Sequence, residues 1–128
     1  RKEIVEKYNE LFAKYTWSII PTCKDEYRES SYHLYLLRIK GITIEQRNAI
    51  IQKIFDKDVS VNVHYKPLPL LTAYKSRGYK MADYPISTSL WENEISLPIF
   101  YNMTDDMVLE VVNSVVNSYN ETLNQQIN

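Results

Sequence analysis

Apolar residues fall on one side of the first stretch of the chain. Ile4, Val5, Tyr8, Leu11, Phe12 and Tyr15 recur three and four positions apart, with Lys, Glu and Asn between them. That spacing predicts an amphipathic helix over residues 3–15, because a helix brings every third or fourth side chain back to one face. Pro21 closes the next short segment, and the polar run 24–31 reads as a loop or turn. Residues 31–39, Ser-Tyr-His-Leu-Tyr-Leu-Leu-Arg-Ile, are short, rich in aromatic and aliphatic side chains, and followed by Gly41. They predict a strand buried on at least one face.

Thr43 opens a second helix, and Gln46 three residues later can reciprocate its cap. Ile44, Ile50, Ile51, Ile54 and Phe55 lie largely on one side, and Asp56-Lys57-Asp58 ends the run. Residues 59–64 alternate apolar and polar, which predicts a strand with Val59, Val61 and Val63 on one face and Ser60, Asn62 and His64 on the other. Pro67 and Pro69 stiffen an extended loop. Residues 70–77 then predict a short helix stopped by Gly78. Asp83 is placed to cap a helix running through Trp91, with Pro85 in its first turn. Residues 94–99 predict a short strand that lies at an edge or ends at Pro98. Thr104-Asp105-Asp106 starts a last helix with Val108, Val111, Val112, Val115 and Tyr119 as its stripe, and the polar residues 120–128 are expected to fray. The order predicts an α+β fold: a small, mainly antiparallel sheet covered by helices on one side, within a single domain over residues 1–128. There is no internal repeat and no low-complexity linker.

Composition narrows the class. An apolar share of 45% and a charged share of 24% are those of a globular domain. Fifteen basic against sixteen acidic residues give a net charge of −1, so the basic excess of a nucleic-acid binder is missing. The single cysteine, Cys23, cannot pair within the chain, which favours a reducing, cytoplasmic setting. No apolar run approaches the ~20 residues that span a bilayer, and no membrane partner is expected. The chain begins with Arg1, without an initiator Met, as a fragment would. Asn102-Met103-Thr104 and Asn120-Glu121-Thr122 match the glycosylation triplet, but no signal-peptide pattern accompanies them.

The chemistry on offer is limited. Gly41 and Gly78 are the only glycines, so no Gly-rich phosphate loop exists. His33 and His64 are the only histidines, and no Cys-x-x-Cys or His-x-x-x-His pattern appears, so no metal site is expected. Eleven tyrosines suit a core edge or an interface; they also suit stacking on bases or sugars. One stretch stands out: Val61-Asn62-Val63-His64-Tyr65-Lys66-Pro67-Leu68-Pro69-Leu70. It ends a predicted strand in His-Tyr and continues into a stiff Pro-x-Pro loop. His64 exchanges protons near neutrality and Tyr65 adds a phenol, so both are candidates to position a ligand. The plainer alternative is a core histidine followed by an ordinary proline turn.

Read in order, these stretches resemble the C-terminal domain of the DegT/DnrJ/EryC1/StrS sugar aminotransferases. The resemblance runs through Ser31-Tyr32-His33-Leu34-Tyr35, residues 61–69, Ala73-Tyr74-Lys75-Ser76-Arg77-Gly78-Tyr79, Asp83-Tyr84-Pro85, Glu94-Ile95-Ser96-Leu97-Pro98 and Thr104-Asp105-Asp106, and covers about residues 1–119. It implies the small domain of a fold-type I enzyme, with residues 1–16 as a linking helix and residues 120–128 as a frayed tail. It also implies an N-terminal domain, upstream of Arg1, that holds pyridoxal phosphate on a lysine. Such enzymes transfer an amino group, usually from glutamate, to a keto group of a nucleotide-linked sugar, and generally act as homodimers. None of Lys2, Lys7, Lys14, Lys24, Lys40, Lys53, Lys57, Lys66, Lys75 and Lys80 follows the family's cofactor-lysine pattern, so no catalytic or cofactor-binding residue is expected within the chain, and the segment alone should be inactive. His64 is the first candidate for positioning substrate, then Tyr65, with Lys66 as a partner for a sugar-nucleotide phosphate. His33 is read as structural. Where many relatives carry Pro-Leu-His-Leu-Gln, this chain has Pro69-Leu70-Leu71-Thr72. Two other classes stay open: a free-standing α+β ligand-binding or dimerisation module, and an RNA-binding sheet bearing aromatic platforms.

Overall fold

The computed structural model describes residues 1–124. Helix α1 spans Lys2–Phe12 and buries Ile4, Val5, Tyr8 and Phe12, the face its apolar spacing predicts. It stops three residues short of the expected end. Chain direction then turns through Ser18, whose hydroxyl donates to the carbonyls of Phe12 (2.8 Å) and Tyr15 (2.9 Å). Strands β1 (Ser18–Ile19), β2 (Tyr35–Ile39) and β3 (Glu94–Leu97) form an antiparallel sheet in the order β1-β2-β3. The first strand sat inside a stretch read only as a short segment before Pro21. The second is shorter than expected: residues 31–34 are not strand, and Tyr32 takes a positive φ of 56°.

The alternation of β2 decides how the sheet is used. Tyr35, Leu37 and Ile39 are fully buried on one face, while Leu36 and Arg38 stand half-buried on the other. Each fully buried aliphatic side chain stabilises the fold by about 1.5–3 kcal/mol. The buried face is covered by α1, by α2 (Ile44–Phe55) and by α5 (Asp105–Asn124). Thus an α+β fold with the three long helices on one side of an antiparallel sheet is what forms. The capping box of α2 is complete: Thr43 Oγ1 accepts from the Gln46 N–H, and Gln46 Oε1 accepts from the Thr43 N–H.

Three local expectations are corrected. Residues 59–64 do not form a strand; only Asn62 bridges to Ser96. Pairing stops because two backbone donors are captured by side chains: the Val63 N–H donates to Asn62 Oδ1 (2.8 Å) and the His64 N–H to Glu94 Oε2 (3.1 Å). The burial alternation survives without the ladder, with Val59 and Val61 buried and Ser60 and Asn62 exposed. Asp83 caps nothing; Tyr84 precedes the helix α4 (Pro85–Glu92), whose first residue is the expected proline. Finally, α5 does not fray at residue 120 but continues to Asn124, because Thr122 is buried and Tyr119 stacks on Trp17 at 4.3 Å. The rest of the expected frayed tail lies outside the described residues.

Between Pro67 and α4 the chain makes two short 3-10 turns, Leu68–Leu70 and Met81–Asp83, around the single-turn helix α3 (Thr72–Lys75). The helix expected over residues 70–77 is shorter, Thr72–Lys75 with Ser76 as its C-cap, and Gly78, at φ +90°, lies in the turn beyond it, where a side chain is strained. No described helix is long and apolar enough to cross a membrane.

The core is aromatic where α1 meets the sheet. Tyr8 and Tyr35 have ring centroids 4.7 Å apart, and Tyr8 Oη donates to the Pro98 carbonyl at 2.7 Å. That bond ties α1 to the residue that ends β3. Burial pushes both phenols well above their ordinary range. Tyr8→Phe keeps the ring and leaves that carbonyl without its partner. It should lower unfolding stability by about 1–2 kcal/mol in urea titrations; an unchanged midpoint would show that the bond is dispensable.

Candidate functional site

Strand β3 reads Glu-Ile-Ser-Leu. Its apolar residues, Ile95 and Leu97, enter the core, so period-two alternation puts Glu94 and Ser96 on the opposite face of the sheet. The register pairs Arg38 with Glu94 and Leu36 with Ser96, so these four share that face. Glu94 and Ser96 are nevertheless buried, each 4% exposed. What covers them is the segment carrying His64, held alongside β3 by the Asn62–Ser96 backbone pair.

A buried carboxylate needs donors. Glu94 Oε2 accepts the His64 backbone N–H, and Glu94 Oε1 accepts the Ser96 hydroxyl in a short hydrogen bond. His64 Nδ1 lies 2.7 Å from the same Ser96 oxygen. A hydroxyl has one proton to give, and Ser96 gives it to Glu94. His64 Nδ1 must therefore carry a proton and donate it to Ser96, which leaves Nε2 as the free ring nitrogen. Burial raises the Glu94 carboxyl above the ordinary glutamate value. The hydrogen bonds from Ser96 and the His64 backbone, and electrostatic attraction to the nearby His64 and Arg47 side chains, offset part of that rise.

Two grooves flank this network. The larger, of about 510 Å³, runs between the open sheet face and α4. Leu36, Arg38, His64, Tyr65, Trp91 and Glu94 are among its lining residues. The second, about 410 Å³, lies on the other side of the His64 segment, between it and residues 33–34 and 96–99. His64 and Tyr65 line both, their rings edge-on with centroids 4.5 Å apart. Tyr65 is 71% exposed, so its phenol is presented to solvent rather than packed. Trp91 is clamped from behind: Arg47, itself buried, donates to its carbonyl at 2.7 Å and sits 4.9 Å from its ring centroid. Burial lowers the Arg47 guanidinium below its ordinary value.

Sequence reading found half of this. His64 and Tyr65 stand together at the mouths of both grooves. Lys66 is exposed and lines neither. His33, read as structural, is exposed, accepts through Nδ1 from Arg1 Nη1 at 3.2 Å, and lines the second groove. Glu94, Ser96, Arg38 and Trp91 are placed on their elements by the sequence but are given no role in a site. The available signal was the alternation of residues 94–97, which places an acid and a hydroxyl on the face away from Ile95 and Leu97.

An aldehyde cofactor such as pyridoxal phosphate needs a lysine held in an environment that lowers its pKa. Every lysine here is exposed or half-buried, and none lines either groove. The described residues therefore do not by themselves make such a site. Nor is any group of three or more His, Cys, Asp or Glu side chains among them placed to hold a metal ion.

Comparison with known proteins gives this arrangement its context. Residues 1–116 match the sequence model of the DegT/DnrJ/EryC1/StrS aminotransferase family. The chain is 40% identical over 118 residues to the uncharacterized protein MJ1066 of Methanocaldococcus jannaschii, covering 90% of this chain and 30% of that protein. It is 31% identical over 121 residues to the spore coat polysaccharide biosynthesis protein SpsC of Bacillus subtilis, again covering 90% of this chain and 30% of the relative. Among solved structures, the PMP-form of Spr1654 from Streptococcus pneumoniae, described as a putative sugar aminotransferase, superposes with a TM-score of 0.93 at 38% identity, over 99% of this chain and 32% of that one. The chain thus spans about 30% of the length of the curated relatives it matches. The match takes in the whole sheet and both grooves, and the chain belongs to the DegT/DnrJ/EryC1/StrS aminotransferase family.

Proposed function

We propose that residues 1–128 are the small domain of a longer pyridoxal-phosphate-dependent aminotransferase that aminates a keto group of a nucleotide-linked sugar for polysaccharide or glycan biosynthesis. The observation that carries this reading is the match to the family over residues 1–116, joined to a histidine oriented at the junction of two grooves. In this reading the cofactor is held by residues outside the chain, and when bound it supplies the chemistry of amino-group transfer. The protein works as a cytoplasmic homodimer, glutamate is the amino donor, and the segment alone is inactive.

The work of this chain is positional. Ser96 and Glu94 fix the His64 ring, so that Nε2 accepts from a hydroxyl of the bound sugar nucleotide without first losing rotamer freedom. Tyr65 offers its hydroxyl and ring face beside it. Lys66, just outside the grooves, acts at longer range as a charge for a phosphate.

The test uses the longer protein and the isolated segment in parallel. The longer protein should transaminate a nucleotide-linked keto sugar and retain pyridoxal phosphate on one lysine after borohydride reduction, read by mass spectrometry. The segment should do neither. In the longer protein, His64→Ala should raise KM for the sugar about tenfold, ~1.4 kcal/mol, with a smaller change in kcat. An unaltered KM would remove His64 from the substrate's surroundings, and cofactor retention by the segment would end the whole reading.

The buried acid gives a second check. Because the folded carboxyl of Glu94 is raised above its ordinary value of 4.5, its contribution to stability is fully present below that pH and is lost as pH rises through the folded value. Relative to Glu94→Gln, the parent should therefore lose stability as pH climbs from about 4 toward neutrality. Paired denaturant titrations across that range measure the difference; one that grows in the parent's favour as pH rises contradicts the assignment.

A further inference from the structure

Among the side chains lining the larger groove, one cation is without a partner. Arg38 stands on the open face of β2, half-buried, between Ile19 on one neighbouring strand and Glu94 on the other. Among the described residues it makes no ion pair and no side-chain hydrogen bond. The nearby guanidinium of Arg47, buried and not part of the groove lining, is already committed to the Trp91 carbonyl and to Asn48. The acid nearest Arg38 in register, Glu94, spends its oxygens on Ser96 and the His64 N–H instead.

An arginine fork presents parallel N–H donors that match the oxygens of a carboxylate or a phosphate. Here that fork lies in a groove of about 510 Å³, within the ~300–1,000 Å³ range of small-molecule sites. The walls beside it, Leu36, Trp91 and Leu90, are apolar. Low local polarity strengthens a charge-assisted bond formed against such a wall.

We propose that Arg38 is the oxyanion-recognition point of the larger groove, with Trp91 and Leu36 receiving the group that bears the anion. The inference deepens the proposed function and rests on it only for the source of the anion. Two sources share the chemistry: the carboxylates of the amino donor and the phosphates of the nucleotide-linked sugar.

Calorimetric titration of the longer protein with glutamate and, separately, with UDP distinguishes them. Arg38→Gln removes the charge and keeps much of the side-chain length; Arg38→Lys keeps the charge and loses the fork. Arg38→Gln should weaken one or both probes at least tenfold with an unchanged unfolding midpoint, and Arg38→Lys should fall between it and the parent. The probe that loses affinity names the source. Equal affinity of parent and Arg38→Gln for both probes overturns the proposal, as does failure of the parent to bind either. A loss accompanied by a lowered unfolding midpoint also overturns it, since that marks a structural role. Transaminase activity is scored separately: anion binding through Arg38 in a protein lacking that activity upholds this inference and removes the functional reading.

Discussion

A carboxylate buried in the open face of a sheet organises the site. Strand β3 must point Ile95 and Leu97 into the helical core, and its pleat then commits Glu94 to the other side. Left bare under cover, that acid would carry a large desolvation cost. The cost is met by recruiting donors from a segment distant in sequence: the His64 N–H directly, and the His64 ring through Ser96. The same contacts draw residues 62–65 alongside β3, and the two grooves exist because that segment stands between them. Site geometry is thus a consequence of burying one acid.

The opposite face supplies the rigidity this needs. Tyr8, Phe12 and Tyr35 pack ring against ring below the sheet, and α2 and α5 close the layer with Ile50, Ile54, Val108, Val112 and Val115. Two links join the faces. Tyr8 reaches the Pro98 carbonyl at the end of β3, and Arg47 reaches from α2 to Trp91 on α4. Groove walls are therefore fastened to the core as well as to one another.

Period and capping carried most of the fold into the sequence. The stripe of α1, the Thr43-Gln46 box and the proline opening α4 are local chemistry, and each formed where its residues stand. Failures occurred where a distant partner overrode local preference. Residues 59–64 carry a strand's alternation, yet Glu94, thirty residues on, takes the donor that a ladder would use. Polar residues 120–124 look like a fraying end, yet Trp17 holds Tyr119 and the helix continues. The site was half legible for the same reason. His64 and Tyr65 announce themselves by chemical type, whereas Glu94, Ser96 and Arg38 matter through a register that sequence spacing alone does not supply.

The proton on His64 Nδ1 is the most direct reporter of this account. It can be read from the nitrogen shifts of histidine-labelled longer protein, with the His64 signal identified by its loss in His64→Asn. At a pH where the ring is neutral, the account predicts the Nδ1–H form in the parent and its disappearance in Ser96→Ala. An Nε2–H ring in the parent, or a tautomer indifferent to Ser96, would show that Glu94 does not orient His64 and would remove the basis of the site.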